Sequence, residues 1–96
     1  MYGVVRKYRF KTGGKDTTLR KAEEEFVHIV SDSPGFVAYH IVTEGDYGMT
    51  ISIFETQAES EESNRRAASF VQEHLAAHLE GPIETLQGPV AVSKSK

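Results

Sequence analysis

The stretch Pro34-Gly35-Phe36-Val37-Ala38-Tyr39-His40-Ile41-Val42-Thr43-Glu44-Gly45-Asp46-Tyr47-Gly48-Met49-Thr50-Ile51-Ser52-Ile53-Phe54-Glu55-Thr56-Gln57-Ala58-Glu59 decides the fold. Pro34-Gly35 breaks whatever element precedes it. Phe36 to Thr43 then alternates as a strand, with Val37, Tyr39 and Ile41 on one face and Phe36, Ala38, His40 and Val42 on the other. Gly45-Asp46-Tyr47-Gly48 is turn chemistry, so a hairpin leads into a second strand from Met49 to Phe54. Thr56-Gln57-Ala58-Glu59 matches a capping box: Thr56 caps a helix and Glu59 reaches back.

Upstream, residues 2–10 are rich in β-branched and aromatic types. Val4, Arg6, Tyr8 and Phe10 alternate there with Val5, Lys7 and Arg9. Gly13-Gly14 ends that strand. Asp16 or Thr17 is the expected helix cap, and Leu19, Ala22, Phe26, Ile29 and Val30 form one apolar stripe at helical spacing. Downstream, the second helix is expected to run to about Leu79, burying Ala67, Ala68, Val71, Leu75 and Leu79. Gly81-Pro82 is its expected stop. Gln87 to Ser93 is the expected last strand, with 93–96 a frayed tail. The order is strand, helix, strand, strand, helix, strand. It predicts an α+β ferredoxin-like fold: a four-stranded antiparallel sheet with two helices on one face. The other sheet face would expose a row of large apolar side chains, so a second copy is expected to cover it in a homodimer.

At 96 residues, one domain spanning 1–96 with one modest core is expected. Net charge is −3, which argues against a nucleic-acid partner, since such a partner calls for a basic face. The chain has no cysteine, so disulfides, thiolate metal sites and a cysteine nucleophile are excluded. No apolar run is long enough to span a membrane, and the start reads as a strand and not as a signal peptide. A cytoplasmic location is the default expectation.

The run Val4 to Phe10, the segment Pro34-Gly35-Phe36-Val37-Ala38-Tyr39, the strand ending in Phe54-Glu55, Ser63-Asn64-Arg65-Arg66-Ala67-Ala68, the stretch Phe70-Val71-Gln72-Glu73-His74-Leu75 and the close at Gly88-Pro89-Val90 together resemble the antibiotic biosynthesis monooxygenase-like proteins. The resemblance covers nearly the whole chain and implies a dimeric α/β barrel. It implies a cofactor-independent oxygenase acting on electron-rich aromatic substrates of the anthrone or quinol type, with no metal or flavin. Two alternatives come with it: a non-catalytic or stress-associated protein that binds a small apolar ligand, and a haem-degrading oxygenase with a helix histidine on the iron. The chain departs from the oxygenase and haem-degrading patterns in having no tryptophan.

The resemblance directs attention to Arg6, Tyr8 and Tyr39 as a catalytic set. A guanidinium stabilises an enolate or phenolate, and a tyrosine moves a proton or stacks on an aromatic ring. The plainer reading makes both tyrosines strand core residues and Arg6 an ion-pair partner. Asn64 or Arg65 would hold a substrate carbonyl, with Phe70 and His74 completing the expected substrate-binding residues. Arg65 and Arg66 also read as surface partners of Glu61 and Glu62 at helical spacing. His74 and His78 are four residues apart but lack the glutamate of a His-Glu-x-x-His zinc motif, so solvent-facing histidines are favoured over a metal site. Gly13-Gly14-Lys15 lacks the spacing of a phosphate loop, and no Gly-x-Ser-x-Gly nucleophile elbow is present.

Overall fold

A computed structural model describes all 96 residues. Strand β1 (Tyr2–Phe10) leads into a helical segment built from α1 (Lys15–Lys21), a π-helical turn (Ala22–Phe26) and α2 (Val27–Ser31). Strands β2 (Phe36–Glu44) and β3 (Tyr47–Phe54) form the expected hairpin. A second helical segment follows, α3 (Gln57–Phe70) and a π-helical turn (Val71–Leu75), before β4 (Leu79–Pro89). The strands are antiparallel in the order β2-β3-β1-β4, the ferredoxin-like arrangement. Both helical segments cover one face of the sheet. Phe26, Val30, Phe54, Phe70 and Leu75 form the buried core between the layers, and Val4 and Phe10 are buried on the same face of β1. No helix is long and apolar enough to cross a membrane.

Local chemistry explains most boundaries and corrects several. Thr56 caps α3 through its hydroxyl, which accepts the Glu59 backbone N–H at 3.2 Å. The Glu59 carboxylate reaches back to the Thr56 hydroxyl at 3.0 Å and so reinforces the cap at the side chain. Neither Asp16 nor Thr17 caps α1, whose cap is Gly14, two residues before Asp16, with no side-chain cap bond. Gly14 is there because the chain is tight: a methyl group on it would lie 2.5 Å from the His78 carbonyl oxygen.

In β2 the two faces are not as alternation predicts. Phe36 opposes Phe54, and Ala38 opposes Ile53, leaving Val37 as an extra residue between them. This bulge flips the register, so Phe36 joins Tyr39 and Ile41 against the helices. Strand β4 departs furthest from expectation. The helix stops at Leu75, and β4 starts at Leu79, well before Gln87. Gly81-Pro82 lies inside the strand. Lys7 pairs with Glu84 and Arg9 with Glu80, so Gly81, Pro82 and Ile83 bulge opposite Tyr8 alone. Residues 90–96 belong to no regular element, although the Val90 N–H still bonds the Met1 carbonyl.

Candidate functional site

The strand alternation of β1 points Arg6, Tyr8 and Phe10 toward the helices, and there the layers do not close. A cavity of about 300 Å³ remains between sheet and helical segments. That is at the small end of the usual range for ligand sites. Its walls are mostly apolar: Leu19, Ala22, Phe26 and Val30 from the first helical segment, Ala67, Val71 and Leu75 from the second, and Ile41 and Leu79 from the sheet. Each helical segment has its π-helical turn on this wall, Ala22 and Phe26 in one and Val71 and Leu75 in the other. The β4 bulge contributes Gly81 and Pro82.

The polar part of the lining is concentrated around Arg6. Arg6 Nη1 donates to Asn64 Oδ1 across the layers at 3.3 Å. Tyr8 and Tyr39 share the cavity and feel the Arg6 charge. Burial is the larger influence and pushes both phenols above their ordinary value. The Arg6 charge opposes that shift at both, while the neighbouring Tyr8 adds to it at Tyr39. Both therefore remain O–H donors at neutral pH. The Tyr39 hydroxyl is sealed from solvent and has no hydrogen-bond partner. Thr18, also on the wall, has a hydroxyl in the same condition.

Raised phenol pKa values tie stability to alkaline pH. The folded chain retains protons that the unfolded chain releases near the tyrosine reference of about 10. The contribution is thus complete below pH of about 10 and declines as pH rises from there toward the folded values. Each phenol held protonated contributes a slope of about 1.4 kcal/mol per pH unit in that window. Tyr39→Phe should flatten the alkaline loss of the urea midpoint between pH 9 and 12. Parallel curves for the variant and its parent would show that Tyr39 is not desolvated in solution.

Of the residues singled out from sequence, Arg6, Tyr8, Tyr39 and Asn64 come together in the cavity. The other three do not line it. Arg65 points to solvent with its side chain 68% exposed, bound to Glu62. Arg66 turns to the same carboxylate at 3.6 Å, and Glu61 instead accepts from Gln57, so the expected Glu61–Arg65 pair does not form. The two arginines, Arg65 foremost, hold the Glu62 carboxyl below its usual range. Phe70 is a core residue stacked 5.4 Å from Phe26. His74 packs its ring 4.7 Å from Phe70 and is otherwise half exposed, near Glu73. Because the helix ends at Leu75, His78 does not share a helix face with it. No three metal-ligating side chains of the His, Cys, Asp and Glu types come together. Sequence reasoning missed Ser52, Ser63 and Thr18, small polar groups of the wall. Serines at helical spacing beside Ala67 were the available signal for Ser63.

No protein-family model matches this chain, and no curated protein matches it. Solved structures match it over nearly its full length. HapK from Hahella chejuensis superposes with a TM-score of 0.81 at 16% identity, covering 100% of this chain and 98% of that one. A Chloroflexus aurantiacus protein, described as a candidate antibiotic biosynthesis monooxygenase, gives 0.67 at 19% identity over 97% and 96%. The heme-degrader MhuD from Mycobacterium tuberculosis, solved with two hemes in its active site, gives 0.74 at 13% identity over 99% and 100%. At such identities the likeness establishes the shared fold.

Proposed function

We propose that this chain is a small-molecule pocket protein that oxidises an electron-rich aromatic substrate of the anthrone or quinol type with dioxygen. The observation that carries this reading is the gathering of Arg6, Tyr8, Tyr39 and Asn64 in an otherwise apolar cavity. The fold shared with a candidate monooxygenase supports it. An ionised anthrone or phenol is the electron donor. Arg6 stabilises its negative charge, an interaction strengthened where apolar walls exclude water. Tyr8 and Tyr39 hold the ring and donate hydrogen bonds. Asn64 orients Arg6, and its amide N–H groups remain to hold a substrate carbonyl.

For an anthrone, the reactive methylene carbon bonds to one oxygen atom and the O–O bond breaks. The second oxygen leaves as water with the two hydrogens, so CH₂ and O₂ become C=O and H₂O. Carbon supplies all four electrons that oxygen takes up, and no further reductant enters.

One observation favours a second reading, ligand binding without turnover: no carboxylate or imidazole lines the cavity to act as a general base. Haem degradation fits the residues less well. No histidine lines the cavity, and burial disfavours the tyrosinate that Tyr8 or Tyr39 would need to become to ligate iron. The assembly we propose is a homodimer through the outer sheet face. There Ile51, Val5 and Leu86 of one cross-strand row that ends at His40, together with the neighbouring Val42, present apolar surface, with Val42 57% and Leu86 75% exposed.

Oxygen uptake by the metal-free protein over a panel of anthrones and hydroquinones, against a heat-inactivated control, tests the main reading. Catalytic uptake with at least one member is expected. Saturable binding without uptake would transfer the assignment to the second reading.

A further inference from the structure

We infer that the cavity selects its ligand as an anion and provides no base to create that anion, so among electron-rich aromatics it takes those whose own substituents make them acidic enough to ionise by themselves, and it favours an aromatic anion over its neutral analogue. The inference rests on the reading of this cavity as a small-molecule site, and it specifies the chemical class that site accepts.

Arg6 is the one lining residue charged at neutral pH; the wall contains no Asp, Glu, Lys or His. Its surroundings are neutral on every side. Its cross-strand neighbours are Thr50 on β3 and Thr85 on β4. From α3 it meets the neutral amide of Asn64, and the wall of the first helical segment is Thr18, Leu19, Ala22, Phe26 and Val30. The nearby carboxylates of α3 are committed elsewhere: Glu59 to Thr56, Glu61 to Gln57, and Glu62 to Arg65 and Arg66. Arg6 is half-buried and has no counter-charge, and an entering anion that displaces water from it supplies one.

The hydrogen-bond count agrees. Arg6 has five N–H groups and shows one side-chain bond, to Asn64. Tyr8 and Tyr39 add two hydroxyls, and that of Tyr39 is unsatisfied. The guanidinium can only donate, and the hydroxyls of the wall can turn either way, so the permanent surplus at Arg6 is of donors. A carboxylate, phenolate or enolate brings the acceptors; an ammonium ion or a hydrocarbon does not. With no carboxylate or imidazole on the wall, the ligand's own acidity decides how much of it is in the binding form.

The test is calorimetric titration at pH 7.5 with 2-naphthoate and with 2-naphthamide, which share an aromatic body and differ in charge. Naphthoate is expected to bind at least about tenfold more tightly. Arg6→Met should remove that preference, and Arg6→Lys should retain part of it. Equal affinities in the unmutated protein would overturn the inference, whether or not the variants fold. Failure of both compounds to bind the folded protein would overturn it together with the pocket reading. Binding is measured without turnover. A protein that prefers naphthoate yet consumes no oxygen fails the oxygenase reading alone. One that consumes oxygen but ignores charge fails this inference alone.

Discussion

Phe54→Ala is expected to lower the unfolding free energy by about 3–5 kcal/mol, the range for emptying a buried phenylalanine site. Phe54 is the largest side chain with no solvent exposure at all, at 0%. It ends β3, opposite Tyr2 on β1 and Phe36 on β2, and meets the Phe36 ring edge-on at 6.0 Å. Its loss removes transfer free energy, leaves a void and breaks an aromatic pair, all where two strand pairings meet the helical layer. A small domain has only about 5–15 kcal/mol of stability in total. Urea unfolding followed by circular dichroism should show the midpoint falling by more than about 1 M, with m values of about 1–3 kcal/mol per M. A change below about 1 kcal/mol would mean that the strand end and the helices do not pack as described.

Ala67→Phe should have the opposite balance between stability and binding. Ala67 is half-buried on α3, between Asn64 and Val71, with its methyl group on the cavity wall. A benzyl group there occupies space a ligand needs. The affinity of an aromatic acid should fall about a hundredfold or more, equivalent to about 2.7 kcal/mol. Stability should hold or rise, because wall atoms that face a void gain contacts. Calorimetric titration and a thermal melt on the same sample measure both. Unchanged affinity would place the ligand somewhere else, and a fall in both quantities would indicate overpacking of a wall with no room to give.

The fold was largely legible because its periodic signals are local. Alternation marked β1 and the hairpin, and the Thr56 cap and the stripe through Phe26 marked the helical segments. What failed was non-local. Gly81-Pro82 reads as a helix stop in any window. Only pairing with β1 reveals it as a bulge within β4, with Ile83 to Gln87 continuing the strand. The extra residue Val37 likewise shows itself only through its partners on β3, and it moved Phe36 to the core. At the site, β1 alternation placed Arg6 and Tyr8 on one face. Which face that was depended on where the helices lie. Arg65, Phe70 and His74 were singled out through the resemblance, but the helical turn carries them away from Asn64. Arg65 binds Glu62, Phe70 packs on Phe26, and His74 packs on Phe70.

The two π-helical turns on the cavity wall bear on how such a pocket can change over evolutionary time. Each is a stretch where the helix has accepted more residues per turn than the α form, held by wider backbone bonds such as Val27 N–H to the Ala22 carbonyl. A residue added to or taken from a regular α-helix turns everything beyond it by about 100°, whereas a π-helical turn absorbs the extra residue locally, so losing one there restores regular winding and leaves the side chains beyond it facing the same way. Such a deletion would change the wall at the turn itself, at Ala22 and Phe26 or at Val71 and Leu75, while the rest of the helical layer and the sheet stayed in place. These turns are therefore the points where length variation, as opposed to substitution, can give the same scaffold a differently shaped interior.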